Sequence, residues 1–137
     1  MNITRAAIQA CRDDVAAQVR AYRDLVGAAS KASGMSLVRI DAALAAFEPA
    51  FFGDLLVALD ARFASRPRGG GASGEVALLA AALLHHGGVL AADAARPYDA
   101  DSAVLRIDLG ERVALNADDV ESLCAAFLAE LEGRASS

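Results

Sequence analysis

The sequence predicts an α+β fold dominated by helices, and three observations carry that expectation. Most apolar residues recur at intervals of three and four, residues 103–115 drop to a period of two, and a glycine-rich run over 66–74 divides the chain. The expected order begins with a helical hairpin or three-helix unit over residues 1–66. A flexible linker over 67–74 follows. The unit over 75–133 then holds a helix, a small antiparallel β-hairpin and a C-terminal helix that packs back on the first unit, and 134–137 are expected as a disordered tail.

In the first unit, Ile8, Cys11, Val15, Val19, Tyr22, Leu25, Val26 and Ala29 draw one apolar stripe along residues 3–30, the signature of a long amphipathic helix. The stripe is longer than an isolated helix can hide, so it requires a neighbour from the same chain or from another copy. Ser33-Gly34 supplies the stop. Leu37, Ile40, Leu44 and Phe47 continue at helical spacing with Ser36 as cap, a short strand over 36–40 being the competing reading. Pro49 suits the first turn of a helix and not its interior, which predicts a break at Glu48. Phe51, Phe52, Leu55, Leu56, Leu59 and Phe63 form the densest apolar face of the chain, and four of the five phenylalanines fall between 47 and 63. This face is the centre of the core or of an interface.

Beyond the linker, Ser73 or Gly74 opens a helix through Val76, Leu79, Leu83 and Leu84 that Gly87-Gly88 ends, and Val89-Leu90 begins a short strand. Residues 93–102 have no periodicity and read as a loop. Leu105, Ile107 and Leu109 alternate with Val104, Arg106 and Asp108, and Gly110-Glu111 offers a turn before Val113-Ala114-Leu115, the pattern of a hairpin. Asn116 caps the last helix. Its first turn holds Asp118, Asp119 and Glu121, the sign of charge a helix N-terminus favours. Val120, Leu123, Cys124, Phe127, Leu128 and Leu131 make its inner face.

A chain of 137 residues has the size of one compact domain. The apolar fraction of 55% would suit a membrane protein, but about a quarter of the residues are alanine, which buries little area. The longest unbroken apolar run, residues 76–84, is nine residues, well short of the ~20 needed to cross a bilayer. No apolar stretch follows a basic N-terminal region as in a signal peptide. The expectation is a soluble cytoplasmic protein. The net charge of −5 is unevenly spread: +2 over residues 1–72 and −7 over 73–137. With Lys31 the single lysine and no cluster of cations, nucleic acid is not an expected partner.

The candidate chemistry is sparse. His85 and His86 are neighbours on a helix and point about 100° apart, and no further ligand stands three or four residues away, so a helix-end role fits them better than a metal site. The glycine run lacks the Lys-Ser/Thr of a phosphate-binding loop. Asp93, Asp99 and Asp101 do not match the spacing of a calcium loop. Cys11 and Cys124, each at an apolar helical position, read as reduced core thiols. No Ser/His/acid or Cys/His arrangement is supported, and neither a cofactor nor a metal is expected.

The succession over residues 80–131 of helix, Gly-Val strand, Val-Leu-Arg-Ile strand and capped helix resembles the C-terminal edge of the small domain of pyridoxal-phosphate-dependent aminotransferases. That resemblance implies that Arg106 would hold a substrate carboxylate. It does not extend to a cofactor-binding domain, and Lys31 lies at a predicted helix end away from any matching motif. In size and acidity the chain is also similar to secretion chaperones that bind an unfolded segment of a client.

The expected function is that of a non-enzymatic interaction protein, an adaptor, regulatory subunit or chaperone, forming a homodimer. Phe51, Phe52, Leu55 and Leu59 are its expected interface, and the acidic C-terminal half would steer a basic partner. The alternative is a small ligand-binding or enzymatic domain with a pocket near Arg106, His85 and His86. A continuous exposed apolar patch would favour the first reading, and a closed concavity with Arg106 inside it the second.

Overall fold

The computed structural model describes residues 2–135 and is all-helical, with helices α1 (Arg5–Ala29), α2 (Gly34–Arg62), α3 (Gly71–His85) and α4 (Ala117–Glu132). The α+β class is thereby corrected. Among the described residues there is no strand; isolated bridges join Val89 to Arg112 and Asp93 to Arg96.

The expected hairpin over 103–115 fails for local reasons. Arg106 sits at φ 56°, which breaks an extended run at its middle. The Val104 and Leu105 N–H groups donate to the two oxygens of the Glu75 carboxylate, at 2.8 and 3.0 Å, where a strand would have given them to a neighbour. The Tyr98 hydroxyl donates to the Ile107 carbonyl. Residues 110–113 pair with 88–90 instead: Leu90 N–H donates to Glu111 O, Gly110 N–H to Leu90 O and Val113 N–H to Gly88 O. The two-residue alternation marked which side chains face inward, since Leu105 and Ile107 do pack on the core, but a loop laid on a core satisfies that pattern as well as a strand.

Helix α1 is capped by the Thr4 hydroxyl, which accepts from Ala7 N–H, and buries Ile8, Cys11, Val15, Val19 and Tyr22 at the spacing the sequence indicates. It packs chiefly on α4, and α2 chiefly on α3. Helix α2 runs unbroken through Pro49, so no break occurs at Glu48. A proline inside a helix costs about 3 kcal/mol, and here aromatic packing on both sides of it offsets the loss. Phe47 and Phe51 stack at 5.3 Å across the proline and both stack on Tyr22, while Phe52, Leu55, Leu56 and Leu59 anchor the following turns in the core.

Helix α3 is the central element, buried on nearly every side from Ala72 to Ala82. It begins at Gly71, so residues 71–74 of the expected linker are its first turn. Ser73 and Gly74 are buried there. Glu130 of α4 accepts from the Ala72 and Ser73 N–H groups at 2.7 and 3.3 Å, which supplies the missing partners of that helix start. Gly71 has φ 69°, and a Cβ on it would lie 2.8 Å from the Glu130 carboxylate. Arg66 locks the same corner: all five of its N–H groups are donated, to Asp60, Phe63 and Ser73, and its guanidinium lies 4.9 Å from the centre of the Phe127 ring. Gly87-Gly88 ends α3, with Gly88 N–H on Ala82 O. Helix α4 opens on a capping box between Asn116 and Asp119 and buries the six apolar residues its pattern marks. Of the tail, 136 and 137 lie outside the described residues.

Candidate functional site

At 1.5 Å per residue, α1 and α2 are about 37 and 43 Å long, while α3 and α4 reach only about 23 Å. The two long helices therefore outrun the helices that cover them. Residues 23–28 of α1 and most of 34–47 of α2 are exposed, forming an arm that joins at the turn over 30–33. The arm carries large apolar side chains in water: Met35 is 70% exposed, Val38 60%, Leu25 50% and Phe47 45%.

Two stripes run along the α2 part of the arm. Leu37, Ile40 and Leu44 are half-buried. Met35, Val38, Ala42 and Ala45, spaced by three and four residues, are exposed. A helix apolar on more than one side normally lies inside a structure. Charge on residues 23–47 is nearly balanced, with Arg23, Lys31 and Arg39 against Asp24 and Asp41.

The root of the arm is rigidly made. Tyr22 lies edge-on to Phe52 at 5.0 Å and stacks on Phe51 at 6.1 Å, and its hydroxyl donates to Glu48 Oε2. Burial, and then the Glu48 carboxylate, push the Tyr22 hydroxyl up to about 12. On the other flank Arg23 bridges Asp118 at 2.7 Å and Glu121 at 3.0 Å, tying α1 to the start of α4. These pairs are exposed and orient the helices more than they stabilise them.

The residues singled out in the sequence are dispersed. Phe52, Leu55 and Leu59 lie in the core of the chain itself, with Phe51 half-buried at the arm's root, so that face is already covered from within. The uncovered apolar surface is displaced along α2 to Phe47, Val38 and Met35. His85 ends α3 and His86 caps it; both are exposed, with their rings 6.5 Å apart. Arg106 is exposed on the loop, and the strand that the aminotransferase resemblance requires beneath it is absent. The principal cavities are lined by none of these three. Among the described residues no three His, Cys, Asp or Glu side chains gather as a metal site.

Cys11 and Cys124 are free and buried, as read from their positions. Burial raises both thiols above their ordinary range, Cys124 to about 11, so both stay protonated near neutral pH and are poor nucleophiles.

By length and composition alone α2 is apolar enough to cross a membrane, and 28% of its most apolar stretch is buried. No family model, curated protein or solved structure matches the chain.

The exposed stripe does not stand out in the sequence, because the densest apolar face lies further along α2 and is taken up by the core. The signal available was that apolar residues over 34–47 surround the helix, more than one neighbouring helix can cover.

Proposed function

We propose that the protein is a non-catalytic interaction protein of the adaptor or regulatory-subunit kind, and that its arm docks on the arm of a second copy. The observation that carries this reading is the apolar surface of Met35, Val38 and Phe47, which nothing among the described residues covers. A second copy is favoured over other occupants by charge and by shape. The nearly neutral arms can meet without repulsion, whereas the acidic C-terminal half repels its own kind. Met35, Val38, Ala42 and Ala45 repeat at the spacing of a helix–helix seam, with alanines that allow close approach. Lipid is disfavoured because the second half of α2 is held in the core by Phe52, Leu55, Leu56 and Leu59, so spanning a bilayer would take the body apart. In the dimer the acidic surfaces remain free to steer a basic partner.

Sedimentation equilibrium tests the proposal. The wild type should be a dimer. A buried Val contributes ~1.5–3 kcal/mol and occurs twice across a two-fold contact, so Val38→Glu should weaken dimerisation more than about 100-fold. Its thermal unfolding as a monomer should stay unchanged, since the side chain is exposed. A wild type that remains monomeric at its highest soluble concentration, or a V38E dimer of equal strength, defeats the proposal, as does flotation of the wild type with neutral lipid vesicles.

A further inference from the structure

Arg66 and Arg68, two residues apart in sequence, meet the distant Arg96 at one corner. Arg66, Arg68 and Gly69 follow α2, Ser73 and Gly74 belong to the first turn of α3, and Arg96 arrives from the long loop before α4. Together with Asp60 they wall a cavity of about 220 Å³. We propose that this cavity binds a phosphate-type oxyanion between Arg68, Arg96 and the Ser73 hydroxyl.

Each group has a distinct part. Arg66 is 6% exposed at its side chain, has no N–H left to give and faces Asp60, so it shapes the wall without binding. The Ser73 oxygen accepts from Arg66 Nε, which leaves its hydrogen to donate outward. Arg96 gives one nitrogen to Asp93 at 2.8 Å and keeps its other donors. Arg68 is exposed and makes no hydrogen bond among the described residues, and its charge acts on the nearby Asp93 carboxylate.

Three guanidiniums thus stand with three carboxylates, Asp60, Asp93 and Glu130, so the corner is balanced in charge, and Asp60 and Glu130 are already taken up by Arg66 and by the Ala72 and Ser73 N–H groups. Guanidinium forks suit tetrahedral oxyanions better than they suit a spherical ion. The volume exceeds the ~30 Å³ share of one water but falls below the ~300–1,000 Å³ of sites for larger molecules, which points to a small anion. This inference uses none of the arm residues and stands apart from the dimer.

Inorganic phosphate is the probe. Amide NMR shifts are followed as it replaces chloride at constant ionic strength, with acetate in a parallel series. The expected result is saturation in the millimolar range, with shifts centred on residues 66–74 and 93–97. Arg68→Ala and Arg96→Ala should each weaken binding about tenfold or more while keeping the wild-type unfolding temperature to within a few degrees. Arg39→Ala, on the arm, should leave it unchanged. Shifts that do not saturate, equal affinity in R68A, an equal loss in R39A, or acetate binding as tightly as phosphate would each overturn the assignment.

Discussion

Removing the Glu75 carboxylate tests whether one buried side chain replaces the expected hairpin. Glu75 is 3% exposed, and its two oxygens accept the Val104 and Leu105 N–H groups. A hydrogen bond to a charged group contributes ~1.5–3 kcal/mol, and a buried N–H left without a partner costs ~1–3 kcal/mol. Water can reach part of this loop, so Glu75→Ala should cost about 2–4 kcal/mol. At about 3 °C per kcal/mol for a domain of this size, that lowers the midpoint by roughly 6–12 °C. Glu75→Gln keeps one acceptor but turns an NH₂ toward a backbone donor, and should lose about half as much. Urea unfolding gives the free energy, and amide exchange gives the location: the 104 and 105 amides should lose protection while the centre of α3 retains it. An alanine variant within about 0.5 kcal/mol of wild type, with those amides still protected, would refute the reasoning, because strand pairing or another partner would then be holding the loop.

Two further tests address the core. A Cβ on Gly74 would lie 2.4 Å from the Gly69 carbonyl oxygen, so Gly74→Ala should destabilise by ~1–3 kcal/mol despite alanine's better helix propensity. At Gly53 in α2 the added Cβ meets Leu83 at an ordinary 3.5 Å, and Gly53→Ala should stabilise by ~0.5–1 kcal/mol; urea midpoints moving in the same direction for both would contradict this packing. For Cys124, a thiol raised from 9.0 to about 11 is about 0.1% thiolate at pH 8, against roughly 10% for a free thiol, so alkylation of the native protein should be slow and should jump on unfolding. Because the folded value is the higher one, the stability this thiol contributes is complete below pH 9 and is lost as pH rises toward about 11. Native-state alkylation at the free-cysteine rate would show that the burial is wrong.

The helices themselves were largely legible. The three-and-four spacing of Ile8 to Tyr22 and of Val120 to Leu131, the Asn116 cap and the Gly87-Gly88 stop all act within a turn or two of chain, and local sequence reports such effects well. The continuity through Pro49 was not legible, because what opposes the break is Tyr22, 27 residues away in sequence. The corner over 66–74 reads as a tether for the same reason: its partners are Glu130 and Arg96, and glycine looks flexible until something packs on it.

The candidate site divides in the same way. Sequence alone determined the inner faces of α1 and α4, that both thiols face inward, and that the acidic charge collects in the second half. Only the tertiary structure decided which part of α2 is covered. Burial is a property of relative length and position, and α3 and α4 are too short to reach residues 34–47. Phe52, Leu55 and Leu59 therefore became core, and Met35, Val38 and Phe47, no more conspicuous in sequence, were left facing water.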